Sequence, residues 1–197
     1  MTRTSKALLT TFFLGAVVSV AGAIVLSEGA VHLPARRRFA AHKEIADRIA
    51  QASAATWREA QIQAADGIVL KAWEFLPHQW NGATVLVLHG HFDTREGTAG
   101  FAPMLLQHGY AVLVPDNRGH GASGGAEVTY GLRERDDVQR WVGWAAAQPL
   151  ANSAAAPAMV AAKLIVEKNQ APRVYGLGES MGAAILLQSL EISNMTT

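Results

Sequence analysis

The segment with the clearest chemical potential is residues 178–182, whose sequence GESMG matches the pattern G-x-S-x-G. An apolar run of strand length, residues 173–177 (RVYGL), precedes it, and a helix-forming run, residues 183–190 (AAILLQSL), follows it. A serine on a sharp turn between a strand and a helix presents its hydroxyl for attack on a carbonyl carbon, and flanking glycines remove Cβ atoms that would clash there. We therefore predict that Ser180 is a nucleophile, and that the backbone N–H of Met181, at the positive end of the helix, stabilises the developing oxyanion.

A second loop could complete the oxyanion site. Residues 83–88 (ATVLVL) form a continuous apolar run, which is typical of a strand buried on both faces, and the residues HGHF follow directly. An oxyanion is held by a pair of backbone N–H groups, and this loop is expected to supply the second of them, from His91 or else from Phe92. The His91 side chain could line the site or take no part, whereas the His89 ring is expected to pack within the loop.

The remaining patterns predict the elements that position these loops. Asp66-Gly67 lies between two runs that alternate polar and apolar residues, which predicts a β-hairpin with positive φ at both turn residues. Residues 110–115 (YAVLVP) predict another buried strand, and residues 173–177 a third. Helices are predicted over 99–108, ending at Gly109, over 132–147 with Val138, Trp141, Val142 and Ala145 on one face, and over 183–190 as a buried helix. The fold class is therefore α/β, a mostly parallel sheet with helices on both faces and an antiparallel entry hairpin.

Residues 7–26 (ALLTTFFLGAVVSVAGAIVL) carry no charge. A helix of this length spans roughly 30 Å, about the thickness of one bilayer core, so we predict an uncleaved single-pass membrane anchor. A signal peptide cleaved near 21–23 (AGA) and a buried soluble helix remain alternatives. The basic residues within 1–6 favour export of the following domain, whereas the Arg and Lys residues within 36–43 favour the opposite orientation. Export is the expected localisation, because a large following domain weakens the second signal.

The composition narrows the classes of function. The 197 residues, half of them hydrophobic, are enough for one packed domain. The net charge of +1 gives no sign of nucleic-acid binding, and the absence of cysteine excludes disulfides, thiolate metal sites and a cysteine nucleophile. The basic cluster at 36–38 could touch anionic lipid head groups or simply be solvated. The predicted divisions are a basic tail (1–6), the apolar segment (7–26), a juxtamembrane stalk (27–56) and a partial globular domain (57–197).

Three motifs, in order, resemble those of the α/β-hydrolase superfamily: LHG at 88–90, PDNRGHGASGG at 115–125 and GLGESMGAA at 176–184. Within it, the sequence is most similar to membrane-anchored bacterial hydrolases of the serine aminopeptidase S33 and Bem46-like type. Residues that follow the second motif agree with that subgroup: Thr129, Gly131, Glu134, Asp137 and Trp141. The resemblance extends over residues 57–190.

This resemblance implies the N-terminal part of an α/β-hydrolase fold behind a transmembrane helix. It implies a serine hydrolase that acts on a small-molecule ester or a peptide-like amide, with no metal or organic cofactor. It also implies that Asp116, Arg118 and His120 hold loops together by hydrogen bonds and do no chemistry.

The expected catalytic order in this superfamily is a serine, then an acid, then a histidine. All seven histidines precede Ser180, and Glu191 is the only acid that follows it. His120 is disfavoured as the base, since it comes before the serine, and Ser123 lacks the strand–turn–helix context of a nucleophile. We therefore expect a C-terminally truncated chain without turnover, in which the strand before Ser180 is an exposed apolar edge.

Two alternatives stay open. The chain could be a non-catalytic, membrane-tethered binding module of α/β-hydrolase type, or a gene fragment. Alternatively, a second, complementing chain could supply the late strands and complete the site around Ser180.

Overall fold

The computed structural model describes residues 3–32, 42–147 and 173–195. The helices are α1 (Arg3–Val31), α2 (His42–Ala52), α3 (Arg95–Thr98), α4 (Ala102–Gln107), α5 (Glu134–Ala147) and α6 (Met181–Met195), with a 3-10 turn at Ala99–Phe101. The strands are β1 (Thr56–Gln63), β2 (Val69–Leu76), β3 (Ala83–Leu88), β4 (Ala111–Pro115) and β5 (Arg173–Gly178). The basic cluster at 36–38 and the alanine-rich connection 150–172 lie outside the described residues.

The five described strands form one mixed sheet in the order β1-β2-β4-β3-β5. The entry hairpin β1–β2 is antiparallel and joins β4 in antiparallel fashion, whereas β3 runs parallel to both β4 and β5. The predicted α/β class and antiparallel entry are confirmed. Because β3, β4 and β5 are parallel, the loops that follow them meet at one edge of the sheet.

The sheet has an apolar layer on each face. Every residue of β3 and β4 is buried, as their uninterrupted apolar runs predicted. Alternate residues of β3 face opposite ways: Leu86 and Leu88 join a cluster with Trp141 of α5, and Val85 and Val87 join a second cluster on the other face. The second cluster includes residues of α2 and α4. Burial on both faces holds the carboxyl ends of the central strands in a fixed position.

The entry hairpin departs from the prediction in its turn. Gln63 pairs with Val69, so five residues form the loop, and Gly67 has a φ of +84°. Asp66 has no positive φ, so the prediction that both turn residues would be left-handed was wrong. The longer loop removes that requirement, and the N–H of Ala64 closes it by donating to the carbonyl of Ile68 at 2.8 Å.

The strand before Ser180 was predicted as buried, and this was wrong. β5 lies at the edge of the described sheet, and each of its six residues is exposed or half-buried, with Tyr175 47% exposed. The arrangement agrees with the expectation of an exposed edge. The predicted buried helix is likewise covered on one side only: Ile185 of α6 is buried, while Leu187 is 67% exposed. The apolar composition of both segments was read correctly, but burial depends on neighbours that composition does not reveal.

The segment predicted as a stalk is not uniform. α2 packs on the sheet and on α4, with Ala46 and Ala50 buried in the second apolar cluster. The indole N–H of Trp57 donates to the Asp47 carboxylate at 2.8 Å. Residues 42–56 therefore pack with the globular domain, whose first residue was predicted to be 57.

Helix α1 is long and apolar enough to cross a membrane, and its apolar window is uncovered by other residues of the described structure. A helix with these properties near an N-terminus fits either a membrane span or a signal sequence. Its last turn contacts the domain, because the N–H of Val128 donates to the carbonyl of Val31 at 3.0 Å.

Candidate active site

Ser180 lies at the turn between β5 and α6. It has a φ of +51°, a left-handed conformation that serine seldom adopts, and the residue is exposed. A Cβ at Gly178 would lie 2.5 Å from the backbone nitrogen of Ala183, and a Cβ at Gly182 would lie 2.8 Å from the carbonyl oxygen of His89. Both glycines of the G-x-S-x-G pattern are thus required by the close approach of α6 to the strands.

The loop after β3 lies directly against this turn. A Cβ at Gly90 would lie 3.3 Å from the Cβ of Ser180, and the N–H of Glu179 donates to the carbonyl of Leu88 at 3.1 Å. In the described loops, the N–H groups of Met181 and His91 donate to no backbone carbonyl. Both N–H groups therefore belong to segments that flank Ser180, and their assignment as oxyanion donors stays a prediction.

His89 is fully buried in this loop, in agreement with the prediction that its ring packs there. Its Nε2 accepts the N–H of Asn117 at 3.0 Å, so the proton resides on Nδ1, which lies 2.7 Å from the carbonyl oxygen of Gly90 and donates to it. Burial lowers the pKa of His89 from 6.5 to about 4, against the opposing effect of the Gly90 hydrogen bond. The neutral ring therefore ties the loops after β3 and β4 together.

This shift predicts a pH dependence of stability. The unfolded chain binds a proton at His89 below pH 6.5, whereas the folded protein does so only near pH 4. Stability should therefore fall as the pH drops from 6.5 to 4, by about 3 kcal/mol for a shift of this size. Urea unfolding across that range should show a shallower pH slope for His89→Asn than for the unchanged protein. Equal slopes in the two proteins would show that His89 is not the group responsible.

His91 points to Tyr130, a residue that sequence reasoning missed. The Tyr130 hydroxyl donates to the carbonyl of Ala30 at 2.8 Å, so at 3.2 Å from the Nε2 of His91 its oxygen accepts the proton of that nitrogen. The Nδ1 of His91 is then unprotonated, and it has no hydrogen-bond partner among the described residues. Burial, and next the charge of nearby His120, lower the pKa of His91. The sequence could have pointed to Tyr130, because it lies between Thr129 and Gly131, two of the residues that match the S33-like subgroup.

Positive φ angles mark the same region. Phe92 (+65°), Tyr130 (+51°) and Ser180 (+51°) all adopt left-handed conformations without being glycine. Such strain persists where surrounding contacts enforce it, and it concentrates at functional sites. Three strained residues around one edge of the sheet support the location of the site.

The loop after β4 is held by its own polar side chains, as the resemblance implied. The buried Asp116 carboxylate accepts the N–H of Arg95 at 2.8 Å and the N–H of Ala122 at 2.9 Å. The hydroxyl of Ser123 donates to the Asp116 carbonyl at 2.7 Å and accepts the N–H of Lys71 at 2.9 Å. Ser123 is thus engaged in a structural loop, away from any strand–helix turn.

Arg118 joins this loop to α5. Its guanidinium donates two hydrogen bonds to Asp137, at 2.7 and 2.8 Å, and a third to Asp66 in the hairpin turn at 2.8 Å. Burial alone would lower the pKa of Arg118, but the hydrogen bonds to the two carboxylates outweigh it and raise the pKa. A buried bidentate pair of this kind orients the loop, because a charge left without its partner would be costly.

Glu134 caps the next loop from the start of α5. Its carboxylate accepts the N–H and the hydroxyl of Thr129, at 2.7 and 2.6 Å, and the N–H of Gly131 at 2.8 Å. Burial opposes ionisation, yet these hydrogen bonds lower the pKa of Glu134. They also hold Tyr130, which lies between the two bonded residues, in place beside His91.

Among the described residues, no hydrogen bond joins the Ser180 hydroxyl to a histidine. The Nδ1 of His120 lies 3.0 Å from the carbonyl oxygen of Arg118, and both nitrogens of His89 are bonded to the backbone. The side chain of Glu191 lies outside the described structure. Across residues 3–32, 42–147 and 173–195, no group of three or more His, Asp or Glu side chains could hold a metal ion.

Comparisons with known proteins agree with this architecture. The family model of serine aminopeptidase, S33, matches residues 80–194. The uncharacterized protein YqkD of Bacillus subtilis (strain 168) is 32% identical over 81 residues, which are 41% of this chain and 26% of YqkD. The esterase Pf2001 of Pyrococcus furiosus superposes with a TM-score of 0.54 at 24% identity, covering 80% of this chain and 51% of the esterase. A second crystal form gives 0.53 at 25% identity, covering 72% and 47%.

The mixed sheet and these structural neighbours show the α/β-hydrolase fold. The family match extends over more than half of the chain. The chain therefore belongs to the serine aminopeptidase S33 family. It spans about a quarter of the length of YqkD and about half of the length of the esterase.

Proposed function

We propose that this protein is a membrane-tethered serine hydrolase that cleaves an ester or a peptide-like amide by acyl transfer to Ser180. The observation that carries the proposal is the exposed, strained Ser180 at the turn between β5 and α6, packed against Gly90. The family match and the esterase-like fold support the reaction class. The substrate is a small molecule, and the tether is α1.

The proposed reaction has two halves. The Ser180 oxygen bonds to the substrate carbonyl carbon while its proton passes to a base, and the amides of Met181 and His91 hold the oxyanion that forms. The bond to the leaving group breaks, and the leaving alcohol or amine takes the proton. Water then attacks the acyl carbon, and one of its protons passes through the base to the Ser180 oxygen as the acid is released. This sequence uses no metal or organic cofactor.

The base and the acid that orients it are assigned to no residue of this sequence. Every histidine precedes Ser180, and two of the three around the site have their hydrogen bonds on the backbone. For residues 1–197 alone, we therefore propose no measurable turnover, since a serine hydroxyl without a base is a weak nucleophile. A complementing chain could supply the base in the assembled protein.

An alkyl fluorophosphonate provides the test, applied to membranes of the cells that make the protein. The Ser180 oxygen should displace fluoride and form a phosphonyl adduct, which mass spectrometry should map to residue 180. Ser123→Ala is the control: it removes a hydroxyl whose hydrogen bonds are to the backbone of Asp116 and Lys71, so labelling should persist. Absence of an adduct at residue 180 in these membranes would contradict the proposal.

One observation favours a second function, a non-catalytic membrane-tethered binding module. The neutral His89 and His120 each form hydrogen bonds with the backbone and hold loops together. The fold can therefore be stable even if no histidine acts as a base. A protein of this kind would keep the elbow geometry and fail to react with the fluorophosphonate. The labelling experiment therefore separates the two functions.

A further inference from the structure

The end of α1 is joined to the rim of the site by direct hydrogen bonds. The Tyr130 hydroxyl donates to the carbonyl of Ala30 at 2.8 Å, and the N–H of Val128 donates to the carbonyl of Val31 at 3.0 Å. The Nε2 of His32 lies 3.8 Å from a carboxylate oxygen of Glu127. In space, the last turn of α1 therefore lies directly against the loop that carries Tyr130.

These contacts determine how far the site lies from a bilayer that α1 would cross. Ala30 is four residues beyond Leu26, the end of the uncharged run, and therefore about 6 Å further along the helix. The head-group layer of one leaflet is roughly 5–8 Å thick, so Ala30 and Tyr130 lie at its level. Tyrosine is enriched at this depth because one end of its ring is apolar and the other polar.

The same side of the domain exposes apolar side chains, which we call the apolar rim: Phe92 (59% exposed), Tyr130 (43%), Leu132 (66%) and Leu187 (67%). Phe92 and Tyr130 are linked through the ring of His91, Leu132 lies two residues after Tyr130, and Leu187 lies on α6. The Tyr130 ring lies 5.1 Å from that of His91, which in turn lies 4.2 Å from the ring of Phe92. Gln188, next to Leu187, donates to the Tyr130 carbonyl at 3.2 Å.

We propose that the apolar rim lies in the head-group region of the bilayer and that the substrate is an amphiphilic ester held in that leaflet. The rim continues the uncovered apolar surface of α1, so a single bilayer can bury both. The loop beside His91 abuts Ser180 through Gly90, and the acyl chain of such an ester reaches Ser180 across the rim without entering water. The choice of substrate rests on the proposed hydrolase activity, and the contact with the bilayer rests on the proposed membrane tether α1 but not on that activity.

The contact is tested with single cysteines, which the cysteine-free sequence allows. An environment-sensitive fluorophore is placed at Leu132→Cys in the rim or at Gln107→Cys, an exposed position at the other end of the parallel strands. In phosphatidylcholine vesicles with doxyl-labelled lipid, quenching should be several-fold stronger at 132 than at 107. Equal quenching at the two positions, or a protein that does not bind the vesicles, overturns the proposal.

The substrate is tested with Leu132→Ser in membranes of the cells that make the protein, where a complementing chain could supply the base, after subtraction of the turnover in Ser180→Ala membranes. Turnover of a long-chain ester dissolved in the bilayer should fall several-fold, while turnover of a water-soluble short-chain ester should not change. An equal loss for both esters overturns the choice of substrate. If neither ester reacts even in the unchanged protein, the proposed hydrolase function fails, and the quenching result still decides whether the rim contacts the bilayer.

Discussion

In membranes of the cells that make the protein, where a complementing chain could supply the base, Ser180→Ala should abolish fluorophosphonate labelling and lower ester turnover by about 10⁴-fold or more. The expected loss is this large because the Ser180 oxygen forms the covalent bond in both reactions. Binding of a substrate analogue should change little, since the variant removes only one exposed oxygen atom. Retention of more than about one per cent of the turnover would show that another group is the nucleophile.

Ser180→Gly separates reactivity from conformational strain. Both variants remove the hydroxyl, but only glycine relieves the left-handed conformation at a φ of +51°. The free energy of unfolding should therefore rise by about 1 kcal/mol in Ser180→Gly relative to Ser180→Ala. Urea denaturation of both proteins measures this difference, and equal stabilities would mean that the turn stores no strain.

A stability loss of about 3 kcal/mol or more is expected for Gly182→Ala. A Cβ at this position would overlap the carbonyl oxygen of Leu88 and approach that of His89 to 2.8 Å. Both are backbone atoms at the end of a strand buried on both faces, so neither can move without disturbing the sheet. Thermal or urea unfolding should show the loss, together with a displaced Ser180 and slower fluorophosphonate labelling.

Gly143→Ala is the matched control. Gly143 lies within α5, and a Cβ there would meet nothing within 4 Å. Alanine is a better helix former than glycine, so this variant should be more stable by about 0.5–1 kcal/mol. If Gly182→Ala were as stable as Gly143→Ala, the close approach of α6 to the loop after β3 would be incorrect.

The central strands and the turn at Ser180 could be predicted because their signals are local. The apolar runs of β3 and β4 are continuous, and burial on both faces is the usual consequence of such a run. The pattern around Ser180 occupies five consecutive residues, and Gly178 within it is required by its own neighbour Ala183. Each of these features depends little on the rest of the chain.

Other features depend on segments that are distant in sequence. Tyr130 lies beside the site because its hydroxyl contacts Ala30 and His91, and no sequence-spacing rule relates these three positions. The packing of α2 was missed because its buried face includes the small residues Ala46 and Ala50 within a largely polar sequence. Small residues permit close approach of a helix to a sheet but give a weak hydrophobic signal.

The pairing of β5 with β3 also has a consequence for the order of folding. About 90 residues separate Ala83 from its partner Arg173, whereas β1 and β2 are joined by a short turn. Closing the longer loop costs more conformational entropy, so the hairpin can form early during synthesis and the β3–β5 pair only late. A chain emerging from the ribosome therefore carries an ordinary, unreactive serine at position 180 until the sheet beneath it has assembled.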